Sequence, residues 1–355
     1  MAPRAGGKVP TRAATLRAET RVFDSAIDPI DQTIAETRAP QDGRITLSLS
    51  GRQIDFRVST FPTVHGENIV LRILDRQKGI VPLEGLGLAE EHLHQLKLMI
   101  SRPEGIILVT GPTGSGKTTT LYSVLNHINS EGIHIMTLED PVEYPMAMVR
   151  QTSVAETAKL DFANGIRSMM RQDPDVILVG EVRDAETAEM AFRAAMTGHQ
   201  VYTTLHTNSA IGAVPRLLDI GVLPDIMAGN IIGIIAQRLI RRLCEHCKTP
   251  YHAEPHEIRL LGPLGEGPRP VLFRATGCEL CDFQGYRGRV AIMELLRIDA
   301  GIDELIARRA TTHEIRSRAL LQGFTTLADD GMLRVLNGVT SLEELARVVD
   351  LTDRM

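Results

Sequence analysis

An octapeptide in the first third of the chain, GPTGSGKT at residues 111–118, constrains the fold more than any other feature of the sequence. A short apolar run precedes it at 106–109, and a segment with helical spacing follows at 118–128. A glycine-rich turn between a strand and a helix lets backbone N–H groups converge on phosphate oxygens, and the helix N-terminus adds positive potential. A chance glycine-rich turn is the alternative, but the flanking strand and helix favour a phosphate-binding loop.

The residue types in this loop point to a nucleoside triphosphate. Lys117 is predicted to reach the β- and γ-phosphates, and the Thr118 hydroxyl is predicted to bind Mg²⁺. A nucleoside triphosphate and Mg²⁺ are therefore the predicted ligands of this site. The predicted nucleotide contacts are Gly111, Pro112, Thr113, Gly114, Ser115, Gly116, Lys117, Thr118 and Thr119.

Apolar runs alternate with helical segments downstream of the loop, at 133–138, 176–179 and 201–205. This alternation is typical of a parallel sheet covered by helices, and it predicts an α/β fold. Polar residues follow the three runs, namely Glu139, Glu181 and His206. Each alone could be a helix cap or a structural side chain. Because the carboxyl ends of parallel strands meet at one edge of a sheet, we expect all three to be catalytic residues near the phosphate loop.

Glu181 ends the run DVILVGE and is the residue predicted to polarise the attacking water. Gly180 stands where an aspartate usually precedes such a glutamate, so Mg²⁺ would depend on Thr118, on water and on other acids. A role as an acid in the first turn of a helix is the structural alternative for Glu181. His206 is predicted to sense the phosphate.

Two C-x-x-C pairs contain all four cysteines of the chain, which are Cys244, Cys247, Cys278 and Cys281. Four thiolates provide the tetrahedral ligand set that structural zinc prefers, so the predicted metal is Zn²⁺. Reduced free thiols and a redox pair are the alternatives. His246 lies between two of the ligands, but it would over-fill the site and is left out.

Composition excludes several classes of protein. A length of 355 residues predicts two to three domains, and the apolar stretch at 226–236 is too short to span a bilayer. A net charge of −5 and an aromatic content of 4% argue against a protein that relies on nucleic-acid phosphates or on base stacking. Residues 1–35 read as a flexible or truncated N-terminus.

The rest of the chain shows two other patterns. Apolar residues alternate at 45–49, 54–58 and 69–73, which predicts a small antiparallel sheet. Glycines at 79, 85 and 87 predict a linker over 79–88. The segment from about 300 to 352 reads as amphipathic helices.

Four ordered segments resemble those of a known family. The phosphate loop, LEDPVEY at 138–144, MRQDPD at 170–175 with VGEVRD at 179–184, and TTLHTN at 203–208 resemble the Walker A, Asp box, Walker B and His box of type II secretion ATPases. Type IV pilus assembly ATPases share these boxes. The resemblance extends over about residues 38–350.

The resemblance implies an α/β, RecA-like P-loop core with a small N-terminal α+β (PAS-like) domain and a C-terminal zinc-binding and helical region. It also implies that Arg57 and Arg72, on strands of the N-terminal domain, are catalytic residues that neutralise phosphate charge across a subunit interface. Arg171 and Arg238, the latter placed on a helix, are weaker candidates. The implied domains are 36–78 (PAS-like), 79–88 (linker), 89–243 (ATPase core), 244–290 (tetracysteine segment) and 291–355 (helical region).

The partners implied by the resemblance are the other subunits of a homohexamer and the inner-membrane platform proteins of a secretion or pilus system. The implied location is cytoplasmic and peripheral at the inner membrane, with no direct contact to nucleic acid. The predicted function is an ATP-driven motor for type II secretion. Type IV pilus assembly or competence is the near alternative, and a nucleic-acid motor or a non-catalytic ATP-binding scaffold is the alternative of another class.

Overall fold

The computed structural model describes residues 38–49, 52–75, 80–154 and 160–354. The chain forms two compact units, Met1–Gly79 and Ile80–Met355, called here the N-terminal unit and the core unit. The predicted N-terminal tail, residues 1–35, lies outside the described residues.

The described part of the N-terminal unit is an antiparallel sheet of three strands. They are β1 (Gln41–Leu49), β2 (Arg52–Thr63) and β3 (Gly66–Asp75), in that order across the sheet. The predicted strands are therefore confirmed. The alternation is clearest where Ile45 and Val58 are buried and the neighbouring Thr46 and Ser59 are exposed, whereas Asp55 of β2 is a buried polar residue.

A seven-stranded sheet forms the centre of the core unit. The strands are β4 (Gly105–Thr110), β5 (Ile135–Glu139), β6 (Arg150–Ser153), β7 (Val176–Val179), β8 (Gln200–Leu205), β9 (Ile231–Leu243) and β12 (Tyr286–Arg297). Their order across the sheet is β12-β9-β4-β8-β7-β5-β6, and all neighbours are parallel except the antiparallel pair β9 and β12. A separate antiparallel pair consists of β10 (Thr249–His252) and β11 (Val271–Arg274).

Helices cover both faces of this sheet. Alternate residues of β4 enter opposite apolar clusters: Ile106 and Leu108 belong to one, and Ile107 and Val109 to the other. The helices are α1 (Glu90–Ile100), α2 (Lys117–Ile128), α3 (Phe162–Met169), α4 (Ala185–Met196), α5 (Ala213–Ile220), α6 (Pro224–Met227), α7 (Pro255–Leu261), α8 (Ala300–Ala307), α9 (Thr312–Leu320), α10 (Leu327–Leu336) and α11 (Leu342–Val348). The predicted α/β fold is confirmed.

One predicted domain boundary and the predicted placement of one residue differ from the structure. β12 runs through the boundary placed between 290 and 291, so the first residues of the supposed helical region belong to the central sheet. The placement of Arg238 on a helix is wrong, because it lies in β9. β9 is buried over most of its length and β12 is buried from Ala291 to Leu296, so the apolar residues of these stretches show no two-residue period.

The expected linker at 79–88 also differs, since the core unit begins at Ile80. Leu83 is 1% exposed and packs into the cluster that contains Leu96 and Leu121. None of the helices in the described part of the chain has the length and apolar character that a bilayer crossing requires.

Candidate functional site

The phosphate loop connects the end of β4 to the start of α2. Gly111, Gly114 and Gly116 have φ values of 149°, 79° and 93°. A Cβ on Gly111 would lie 2.6 Å from the Gln237 carbonyl oxygen and 2.6 Å from Ser115 Oγ, so glycine is required there. Ser115 Oγ itself is buried and has no hydrogen-bond partner among the described residues. The loop therefore has the glycine-dependent shape that brings backbone close to a phosphate.

Lys117 is the first residue of α2, and its ammonium lies against the loop. Nζ donates hydrogen bonds to the carbonyl oxygens of Gly111 at 2.8 Å and Pro112 at 3.3 Å. Burial lowers the pKa of Lys117, with Glu181 opposing that change and Arg238 adding to it. Thr118 and Thr119 are exposed at the same helix end, where hydroxyl groups are available to a bound ligand.

Gln237 of β9 holds the phosphate loop in place through its side chain. Its side chain is fully buried, accepts a hydrogen bond from Thr120 Oγ1 at 2.9 Å and donates one to the Ser115 carbonyl at 2.7 Å. These two contacts fix the loop to the first turn of α2 and to the neighbouring strand. Sequence reasoning missed Gln237, and only the recognition of residues 231–243 as a strand beside β4 could have found it.

Glu181 follows β7 and lies next to His206. His206 Nε2 is 3.3 Å from Glu181 Oε2, and Arg183 forms an ion pair with the other carboxylate oxygen. The Glu181 side chain is mostly buried, whereas that of His206 is 50% exposed. The structure thus brings Glu181 and His206 together, and the hydrogen bond from the Thr207 N–H to Thr110 Oγ1 at 2.8 Å holds the His206 loop next to the strand end from which the phosphate loop begins. Arg183 was not predicted, although it lies in the VGEVRD segment.

Three backbone contacts fix the loop that carries His206. Thr110 Oγ1 at the end of β4 accepts the Thr207 N–H at 2.8 Å. Arg238 donates to the Asn208 carbonyl at 2.9 Å, and Glu294 accepts the Ala210 N–H at 2.5 Å. The loop is therefore tied to three neighbouring strands.

Glu139 ends β5 and is 4% exposed. Its carboxylate accepts hydrogen bonds from Tyr122 at 2.5 Å, from Thr137 at 2.7 Å and from Gln151 at 3.2 Å. Burial raises the pKa of Tyr122 above its ordinary value, and the Glu139 charge and its hydrogen bond add to the increase. All these donors belong to the protein, so the structure places Glu139 in a buried network one strand from Glu181.

The predicted arginines lie in different places. Arg57 of β2 and Arg72 of β3 are directly opposite each other in the N-terminal sheet and share a face, with Arg72 exposed. Arg171 donates to the Arg167 carbonyl at 2.9 Å on the surface of the core unit. Arg238 is buried and donates hydrogen bonds to the carbonyl oxygens of Gln237 and Asn208. It therefore connects the residue that holds the phosphate loop to the loop that carries His206.

The four cysteines form one cluster, in which every sulfur lies within 4.8 Å of the others. Sγ–Sγ distances are 3.9 Å for Cys244 and Cys278, 3.8 Å for Cys247 and Cys281, and 3.7 Å for Cys278 and Cys281. These distances are far longer than a disulfide bond of about 2.05 Å. They match the edge of about 3.8 Å of a tetrahedron with Zn–S bonds of about 2.3 Å. Among the described residues, His246 is not part of this cluster.

Comparison with known proteins agrees with this arrangement. A family model described as Type II/IV secretion system protein matches residues 16–347. The Type II secretion system protein E of Pseudomonas aeruginosa is 49% identical over 89% of this chain, and the chain spans 62% of that protein's length. The type IV pilus assembly ATPase PilB of Thermus thermophilus is 46% identical over 89% of this chain and 36% of its own length.

A solved structure extends the agreement to the fold. The pilus retraction motor PilT with bound ADP matches with a TM-score of 0.64 and 31% identity, over 87% of this chain and 77% of that one. This match, together with the parallel sheet and the glycine loop, confirms the predicted RecA-like P-loop core. By its sequence boxes, its fold and the extent of the family match, the chain belongs to the Type II/IV secretion system protein family.

Proposed function

We propose that this chain hydrolyses ATP and acts as a motor subunit for pseudopilus assembly in type II protein secretion. The observation that carries the proposal is the juxtaposition of Glu181 and His206, on a loop that is hydrogen-bonded to the strand end leading into the phosphate loop. The similarity to Type II secretion system protein E of Pseudomonas aeruginosa supports the assignment to type II protein secretion. The chain spans 62% of that relative's length, so the activity of the relative as a whole is proposed for this chain.

In the proposed reaction, water attacks the γ-phosphate and Glu181 accepts a hydrogen bond from that water. Lys117 leaves the carbonyl oxygens of Gly111 and Pro112 to pair with phosphate oxygens, an exchange of neutral acceptors for charged ones. Mg²⁺, when bound through the Thr118 hydroxyl, supplies charge neutralisation on the phosphates. His206 reports the presence of the γ-phosphate to Glu181 through their contact at 3.3 Å. Glu139 holds the end of β5 in position through Tyr122.

Arg57 and Arg72 supply positive charge to a nucleotide held between neighbouring subunits of a homohexamer. Their direct opposition across β2 and β3 supports this role, because two guanidinium groups on one sheet face form a paired anion-binding surface. The three-stranded sheet to which these two strands belong is the described part of a PAS-like domain. Arg171 stays a weaker candidate, since its guanidinium bonds to its own helix end.

Cys244, Cys247, Cys278 and Cys281 hold a structural Zn²⁺. The tetrahedral spacing of the sulfurs supports this assignment over free thiols or a redox pair. Two backbone N–H groups, of Cys278 and Gly285, lie 3.2 Å from Cys281 Sγ and stabilise a thiolate there. Four thiolates leave no open coordination position, so the metal supplies folding energy rather than chemistry.

The platform proteins of the inner membrane are the proposed partners, with the chain cytoplasmic and peripheral to that membrane and without direct contact to nucleic acid. Type IV pilus assembly is a second candidate, favoured by the 46% identity to the pilus assembly ATPase of Thermus thermophilus. The two candidates are distinguished by measuring ATPase activity with the cytoplasmic domain of a secretion platform protein and with that of a pilus platform protein. Each candidate predicts stimulation by its own platform protein. A strict requirement for DNA or RNA would instead favour a nucleic-acid motor.

The central experiment is Glu181→Gln, which keeps the side-chain shape and removes the charge that orients water. We expect kcat to fall by about 10²- to 10⁴-fold while ATP still binds. Glu189→Gln is the matched control, because Glu189 is an exposed helix residue paired with Arg193. ATP hydrolysis by Glu181→Gln at the wild-type rate would reject the assignment, and ATP binding without phosphate release by the unmodified protein would indicate a scaffold.

A further inference from the structure

Glu294 is a buried carboxylate for which sequence reasoning assigned no role. It lies in β12, an edge strand of the seven-stranded sheet, and its side chain is 4% exposed. A buried carboxylate is costly unless its oxygens are hydrogen-bonded or paired with charge, so its partners indicate why it is there. Burial raises the pKa of Glu294, whereas two backbone hydrogen bonds and the charges of Arg316 and Arg238 oppose that rise.

The two carboxylate oxygens bind two different parts of the core unit. Oε1 accepts the Ala210 N–H at 2.5 Å, and Oε2 accepts the Leu327 N–H at 3.0 Å. Ala210 belongs to the loop that begins with His206, and Leu327 is the first residue of α10. One side chain therefore joins the His206 loop to the C-terminal helices across 84 and 33 residues of sequence.

The Ala210 contact is the tether of the loop farthest along the chain from His206. Thr110 holds Thr207 and Arg238 holds Asn208, while Ala210 itself is fully buried. The His206 ring is half exposed beside Glu181. The tethers therefore fix the backbone of the loop and leave the exposed half of the ring accessible to a ligand. Loss of the Ala210 tether would let the loop shift without breaking any contact of the phosphate loop itself.

We propose that Glu294 is a positioning residue for ATP hydrolysis, which holds the His206 loop in register with Glu181 through the Ala210 N–H. This inference rests on the proposed ATPase function and names a residue that acts through His206 rather than on the nucleotide. A misplacement of a catalytic group by about 1 Å can lower a rate by about 100-fold. Because Glu294 contacts neither Lys117 nor Ser115, its loss acts on kcat and spares ATP binding.

The test is a double-mutant cycle in the full chain with Glu294→Gln and His206→Ala. Glutamine keeps the volume of the side chain, but its amide group faces one of the two N–H groups as a second donor and cannot accept from it. We expect Glu294→Gln to lower kcat by about 10- to 100-fold, with KM for ATP within about twofold. The double variant should be no slower than His206→Ala alone, because both changes remove the same contribution.

Thr326→Val is the matched control, since Thr326 caps α10 next to Leu327 and leaves the Ala210 contact in place. It should lower thermal stability and preserve kcat. Glu294→Asp provides a second variant with the charge retained and a shorter reach, and an intermediate kcat is expected from it.

Four results would overturn the inference: unchanged kcat in folded Glu294→Gln, a matching loss of ATP affinity, multiplicative losses in the double variant, or no effect of His206→Ala. Glu181→Gln, assayed in parallel, distinguishes failure of this inference from failure of the proposed ATPase function. If it abolishes turnover while Glu294→Gln does not reduce it, the inference fails and the ATPase assignment stands.

Discussion

Replacement of Gln237 by leucine tests whether the phosphate loop is held in its binding shape by β9. The substitution keeps most of the volume but removes the acceptor for Thr120 Oγ1 and the donor for the Ser115 carbonyl. Both partners are buried, at 1% and 4% exposure. The loop therefore loses its two contacts to this strand at once, without any change in the residues that would touch ATP.

The size of the effect follows from those contacts. A buried polar group left without its partner costs about 1–3 kcal/mol, so two such groups cost about 2–6 kcal/mol in free energy of unfolding. Only the part of this free energy that shifts the phosphate loop away from its binding shape lowers ATP affinity. If that part is about 1.4 kcal/mol, the Kd for ATP rises about tenfold.

Gln200→Leu is the control for general destabilisation. Gln200 is also a buried glutamine with two hydrogen bonds, which its Nε2 donates to the carbonyls of Ile100 at 2.9 Å and Arg102 at 2.6 Å. It begins β8, at the opposite end of the sheet from the phosphate loop. Both variants should unfold at lower temperature, but only Gln237→Leu should bind ATP more weakly.

Circular dichroism suits the unfolding measurement, because the chain contains no tryptophan. Displacement of a fluorescent ADP analogue gives the Kd for ATP. An unchanged Kd in Gln237→Leu would refute the reasoning, and so would equal increases of Kd in both variants, since the loop would then not depend on this strand specifically.

Two further predictions concern the C-terminal part of the core unit. Burial alone would raise the pKa of Glu344, but hydrogen bonds from Arg347 and Arg241 outweigh it and lower that pKa to about 2. The ionised carboxylate therefore adds stability above about pH 4.5 that disappears as the pH falls towards 2; a shift of this size is worth at most about 3.4 kcal/mol, and about 2 kcal/mol after screening at the half-exposed arginines. Glu344→Gln should lose that amount in urea unfolding at pH 7, and the difference from the wild type should shrink below about pH 4.5 and vanish only near pH 2. Exposed Glu343→Gln should show no such loss, and a difference that stays constant with pH would contradict the assignment. For the cysteine cluster, Cys278→Ser should lose bound zinc, as measured by mass spectrometry of the native protein, and should unfold at lower temperature, whereas His246→Ala should retain the metal; equal zinc content in both variants would contradict a four-cysteine site.

The sequence was most informative where local pattern and chemistry coincide. The phosphate loop depends on glycines within six residues, and the strands that end at Glu181 and His206 are short apolar runs between turn signals. Gln237 and Glu294 were not predicted, because their partners lie 117, 122, 84 and 33 residues away. Nothing in the local pattern of β9 or β12 marks a buried polar side chain as the support of a distant loop.

The segment at 80–88 shows how composition misled the prediction of a linker. Its glycines indicated a flexible connection, but Gly87 has φ 72° and closes a short 3-10 helix, Leu83–Leu86, rather than leaving the chain free. Arg334 donates to the Gly87 carbonyl at 2.6 Å, Glu84 pairs with Lys97 at 2.7 Å, and Leu83 is buried.

Rotation about residues 83–87 would break both polar contacts and expose Leu83 to water, and burial of a leucine side chain alone is worth about 1.5–3 kcal/mol. Glycine marks flexibility only where the chain around it lacks such contacts, and here it supplies the positive φ of a packed turn. Residues 83–87 are therefore a packed part of the core unit, and a hinge at these positions would have to break those contacts.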